Sequence, residues 1–133
     1  MRPARDTASS RPLLDKLGVK PGARVVLLGL EDGDFRRLLA ERTDDVHTRP
    51  AAGADLVFFA AGSREELKSL AEIKLHIKSN GAIWVVRPKG VPGGLSEPGI
   101  IEAALAAGLV DNKVVSFSDT RSALRLVIPL HLR

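Results

Sequence analysis

Three apolar runs without polar alternation constrain this chain more than any other feature: Val25-Val26-Leu27-Leu28, Leu56-Val57-Phe58-Phe59 and Ala82-Ile83-Trp84-Val85-Val86. A strand with one wet face alternates apolar and polar side chains, whereas an unbroken run needs cover on both faces. A parallel sheet flanked by helices supplies that cover. The runs predict buried strands over 24–30, 55–61 and 82–86, so the chain is expected to be an α/β protein.

The segments between the runs have helix signals. Pro12-Leu13-Leu14-Asp15-Lys16-Leu17-Gly18 has proline in a first turn, a leucine stripe and a glycine stop. After the first run, Gly29-Leu30-Glu31-Asp32-Gly33 forms a turn, and Asp34 is expected to cap a helix from Phe35 to Arg42. Ser63-Arg64-Glu65-Glu66 has capping-box spacing ahead of a long helix predicted to reach Ser79, stopped by Asn80-Gly81. Ser96 can cap a further helix that ends at Gly108. Between Thr43 and Ala54, Pro50, Gly53 and the charges Asp44 and Asp45 leave room for only a stub of strand near Val46.

Two last strands are predicted over 113–118 and 123–130. The Ser118–Ser122 link is too short for a crossover helix, so they should pair antiparallel. The segment from Arg87 to Gly94, with Pro88, Pro92 and three glycines, is expected to be a mobile loop.

Composition bears on class. At 133 residues the chain is one domain's length, and residues 1–10 read as a disordered basic tail ahead of a single domain over 11–133. The formal net charge is +4, half of it from Arg2, Arg5 and Arg11 set against Asp6. Elsewhere basic residues are interspersed with carboxylates, which argues against a phosphate-tracking stripe and hence against nucleic-acid binding. The absence of cysteine excludes thiol chemistry and disulfides and fits a reducing compartment. No stretch has the roughly 20 apolar residues of a membrane span, and the first ten residues lack a secretory core. A cytoplasmic protein is expected.

Lys20-Pro21-Gly22 before the first strand, Ala54-Asp55-Leu56-Val57 at the second and Ser79-Asn80-Gly81-Ala82-Ile83-Trp84 at the third resemble a class I S-adenosylmethionine-dependent methyltransferase domain. More narrowly, Ile83-Trp84-Val85, Gly108-Leu109-Val110-Asp111 and Ser118-Asp119-Thr120-Arg121-Ser122-Ala123-Leu124 resemble a family of small bacterial methyltransferase-like domains of unknown function, DUF3052. The resemblance implies a three-layer Rossmann-like fold: a mainly parallel sheet with a C-terminal antiparallel pair, here lacking one βα unit. It also implies a cofactor loop after the first strand. There the chain has bulky Leu30 and two carboxylates between Gly29 and Gly33, where the larger class has a Gly-x-Gly turn.

Candidate site residues lie at the carboxyl ends of the predicted strands, where open α/β sheets bind ligands. They are Gly29, Glu31, Asp32 and Gly33 after the first strand, Ser63 after the second, and Arg87 and Lys89 after the third. Glu31 and Asp32 could hold a cation or hydroxyl groups, Ser63 could act as a nucleophile beside a base, and Arg87 and Lys89 could meet an anion. Each also has a plain structural role open to it, as turn, cap or solvated loop. His47, His76 and His131 are too scattered for a metal site. No catalytic residue, metal or cofactor is predicted; S-adenosylmethionine is the cofactor the resemblance would imply.

The functional expectation is a non-catalytic ligand- or partner-binding module, a pseudoenzyme on a degenerate methyltransferase fold. The alternatives are a methyltransferase with a rebuilt cofactor site, and an oligomeric or partner-binding subunit that uses an exposed sheet edge.

Overall fold

The computed structural model describes residues 13–133, so the basic tail of residues 1–10 and the proline of the first helical turn lie outside the described residues. Residues 13–17 form helix α1. The order then runs β1 (Val25–Leu28), α2 (Gly33–Leu39), β2 (Val46–His47), β3 (Ala54–Ala60), a 3-10 turn (Glu66–Ser69), α3 (Leu70–Lys74), β4 (Ile77–Pro88), α4 (Glu97–Ala106), β5 (Val110–Ser116), β6 (Arg121–Val127) and a 3-10 turn (Leu130–Leu132).

The described strands form one sheet of order β2-β1-β3-β4-β6-β5. The first four run parallel, and β6 pairs antiparallel with both β4 and β5. Each apolar run sends alternate side chains to opposite faces. Val25, Leu27, Leu56, Phe58, Ala82 and Trp84 meet α1 and α2 on one side. Val26, Val57, Phe59, Ile83 and Val85 meet α3 and α4 on the other. Three layers follow from runs that never alternate.

On the first face, Phe35 of α2 packs edge-on against Phe58, ring centroids 5.0 Å apart, and lies 4.7 Å from Phe117. Trp84 is fully buried and its indole N–H donates to the Leu17 carbonyl at 3.0 Å, which ties α1 to the sheet centre. The stub β2 has two ladder pairs with β1. It is reinforced by Asp45, which accepts from Arg24 Nε at 3.0 Å and contacts His47 Nε2 at 2.6 Å. Those hydrogen bonds, His47's first and then Arg24's, hold the Asp45 carboxyl below the usual aspartate range.

The sheet carries the connection from β2 to β3 over β1 in residues 48–53 without a helix. Parallel neighbours usually use a dozen or more residues for such a crossover. The face so uncovered is a cavity of about 280 Å³ between Pro50, Ala51, Val57, Phe59 and Ile73. This is the missing βα unit seen from inside.

Three expectations are corrected. The helix after β1 is capped by Asp32, not Asp34: Asp32 is extended (φ −137°, ψ 99°), its side chain accepts from Phe35 N–H, and the helix stops at Leu39. Asp34 lies in the first turn and pairs with Arg37 instead.

The long helix to Ser79 is a 3-10 turn plus the five residues of α3. Leu67, Leu70, Ile73 and Ile77 are all buried at helical spacing, but Ile77 pairs with Ala54 in the sheet. Ser79, Asn80 and Gly81 are poor helix formers and continue the strand. Lastly, β4 takes in Arg87 and Pro88, so the loop after it starts at Lys89.

Candidate functional site at the carboxyl edge

β1 leaves the sheet through Gly29, whose φ of +70° falls where side chains are strained. A Cβ there would lie 3.5 Å from the Ala60 carbonyl, so glycine lets the turn hug the end of β3. Leu30 then turns inward and is buried with the phenylalanines. Glu31 is left exposed. Asp32 has two jobs: Oδ1 accepts from Phe35 N–H at 3.0 Å, and Oδ2 stands 3.6 Å from Arg121 Nη1 at the start of β6. Gly29, Glu31, Asp32 and Gly33 line one cleft of about 520 Å³, joined by Arg36 and Thr48.

The other candidates sit elsewhere. Ser63 borders a second cleft of about 370 Å³, with Arg64, Gly94, Ser96 and Glu102. Its hydroxyl donates to Glu66 Oε1 at 3.2 Å and accepts from Glu66 N–H at 3.4 Å, and the same carboxylate accepts from Gly62 N–H at 3.0 Å. The predicted capping box is only half made: the Glu66 carboxylate takes Gly62 N–H where the box needs Ser63 N–H, the 3-10 turn starts after Glu65 without a side-chain cap, and the base that the Ser63 hydroxyl meets is Glu66 itself.

Arg64 pairs with Glu102 of α4 at 3.2 Å, closing the outer wall. Ser96 caps α4 by accepting from Gly99 N–H at 3.2 Å. Arg87 Nη1 donates to the Leu95 carbonyl at 3.3 Å, bracing the loop across its neck. Lys89 turns to the hairpin, donating from Nζ to Ser116 Oγ at 2.7 Å. Neither cation faces the Asp32 cleft.

Sequence reasoning missed Arg121. The signal was available: in an antiparallel β6 following a short link, the first residue returns to the carboxyl edge of the parallel strands. Its Nη1 is enclosed and has no hydrogen-bond acceptor among the described residues, the Asp32 oxygen being too distant for a good bond. Among the described residues no three acidic or histidine side chains converge as metal ligands would. No helix among them is long and apolar enough to cross a membrane.

The model of the family described as "Protein of unknown function (DUF3052)" matches residues 15–130. The chain belongs to that family. No curated protein matches the sequence. The DUF3052 chain is similar in structure to a SAM-dependent methyltransferase from Aquifex aeolicus, with a TM-score of 0.71 and 17% identity over 90% of this chain and 89% of that one. A putative type 11 methyltransferase from Sulfolobus solfataricus superposes with a TM-score of 0.66 and 15% identity, covering 90% and 91% of the two chains. The magnesium protoporphyrin IX methyltransferase of Synechocystis, solved with bound SAM, gives 0.63 and 11% identity over 92% of this chain and 77% of its own. At these identities the likeness establishes the fold: this DUF3052 protein is a Rossmann-like, methyltransferase-like α/β domain.

Proposed function

We propose that the protein is a ligand-binding module on a reduced methyltransferase fold, holding a small molecule at the carboxyl edge of the sheet without reacting it. The observation that carries this reading is the commitment of Asp32. One carboxylate oxygen caps α2 and the other faces Arg121, so the acid best placed in the cleft serves the scaffold. Ser63 and Glu66 satisfy each other in the same manner. What remains open is shape: a cleft floored by Gly29, with exposed Glu31 at its rim as an acceptor for ligand hydroxyl or amino groups.

S-adenosylmethionine is the first ligand to test, because a structure sharing the fold binds it. Thermal unfolding with millimolar S-adenosylmethionine or its demethylated product should show a saturable rise, since a ligand bound only to the folded state adds about 2.7 kcal/mol at a hundredfold excess over Kd. Gly29→Val should abolish the rise. No methyl transfer should accompany binding, and labelled methyl appearing on any acceptor would replace this reading with the enzymatic one. An unchanged midpoint would remove S-adenosylmethionine as ligand.

A second reading, a methyltransferase with a rebuilt site, is favoured by the close approach of Gly29 to Ala60, which keeps the floor of the cleft open. It must find its chemistry in Glu31 and the 87–94 loop, where Arg87 and Lys89 are already engaged.

A further inference from the structure

The opposite, amino edge of the sheet has a charge anomaly. Along β6 the side chains of Ala123 and Val127 enter the core on the α1 face, and Arg125 occupies the position between them. Its direct cross-strand partners on that face are Trp84 of β4 and Lys113 of β5. A cation opposite a cation destabilises a strand pair.

Among the described residues the other half-buried arginines each face an acceptor or counter-charge: Arg42 pairs with Asp15, Arg87 donates to the Leu95 carbonyl and Arg121 stands 3.6 Å from Asp32. Arg125 makes no hydrogen bond or ion pair among the described residues. Burial, and then the charge of Arg133, hold its guanidinium below the usual arginine range.

Arg125 and Asn80 line two adjoining depressions. One, of about 390 Å³, adds Lys20 and Asp55; the other, of about 550 Å³, adds Asn112 and Arg133. The Asp55 carboxylate is already engaged by Lys78 Nζ at 3.0 Å and Arg24 N–H at 2.8 Å, so it does not neutralise the cations. Arg133 is steadied by donation from Nε to the Ile128 carbonyl, leaving its terminal nitrogens to the cleft.

We propose that this amino-edge cleft is an oxyanion site in which Arg125 is the shared donor, with Lys20, Asn80 and Arg133 around it, and that its ligand is a small molecule bearing a phosphate group. The guanidinium fork matches two phosphate oxygens, and an ammonium and a second guanidinium exceed what one carboxylate would balance. Concavity favours a small ligand over a polymer backbone. The site is separate from the carboxyl-edge cleft, so it stands whether or not S-adenosylmethionine binds.

The test titrates the full chain with inorganic phosphate and pyrophosphate, followed by thermal unfolding and 31P line broadening, against sodium chloride at matched ionic strength. A saturable rise with pyrophosphate, absent with chloride, is expected. Arg125→Met keeps the aliphatic stem and should weaken binding tenfold or more, while the ligand-free variant unfolds no earlier than the wild type. Arg49→Met, an exposed cation on the β2–β3 crossover, should leave binding unchanged. Lys20→Met provides a second loss should the first variant misfold. Equal binding by Arg125→Met and wild type, or no saturable response to either anion, overturns the proposal. Binding of a single-stranded oligonucleotide without response to pyrophosphate also overturns it, in favour of a polymer.

Discussion

Asp55 lies where three demands meet. Burial raises the cost of its charge, yet the Arg24 N–H and the Lys78 ammonium outweigh it, and the carboxyl is held below its ordinary value of 3.8. An acid depressed in the folded state stabilises it above the unfolded value and loses that contribution as pH falls through the folded one. Asp55→Asn should therefore lower the unfolding midpoint at pH 7, and the gap from wild type should narrow as pH falls below about 4. Circular dichroism melts across that range test it; a gap independent of pH would mean the charge is immaterial.

Other single residues show what a sequence hides. Asn80-Gly81 reads as a helix stop, but a Cβ on Gly81 would lie 2.9 Å from the Ala54 carbonyl and 3.0 Å from that of Asp55, so the glycine serves a close approach between strands. Such an approach is long-range and leaves no local trace. Asp32 and Asp34 are equally able caps on paper, and only backbone geometry separates them.

Among the elements, α2 depends on Asp32 twice, as cap and as counter-charge to Arg121 on β6. Asp32→Ala removes both roles and should cost about 1–2 kcal/mol from the cap alone. Asp32→Asn keeps an acceptor for Phe35 N–H and should cost less. Urea unfolding of the pair separates the roles: equal losses would assign the stability to the ion pair. The strands were legible because their runs are local and continuous, and α4 because Ser96 and Gly108 frame it. The short α3 was not. Its apolar period persists through Ile77, and what ends it is sheet pairing with Ala54, a partner more than twenty positions away.

For the whole molecule, the resemblance carried the three-layer plan, which the two covered faces of the sheet bear out, and a mainly parallel sheet with a C-terminal antiparallel pair, which the strand order and pairing bear out. The candidate site was legible in part. The rule that ligands gather at the carboxyl ends of strands brought Gly29, Glu31, Asp32 and Gly33 together, whereas Arg87 and Lys89 were assigned from chain position and turn to other partners. The stub β2 leaves one sheet edge open, but with only two ladder positions it offers little to an incoming strand. Sedimentation at high concentration should therefore give a 14.2 kDa species. A dimer would mean that edge, or another face, is in use and would favour the partner-binding alternative.

β4 is the longest strand, and its two flanks face opposite conventions: parallel neighbours toward β3, an antiparallel one toward β6. It therefore works as a hinge pin shared by two half-sheets, neither of which closes without it. A chain cut before residue 77 keeps three strands and loses its centre, and a piece beginning after 88 has one helix and a two-stranded hairpin. Among the described residues, a cut on either side of β4 leaves no sheet with its centre intact.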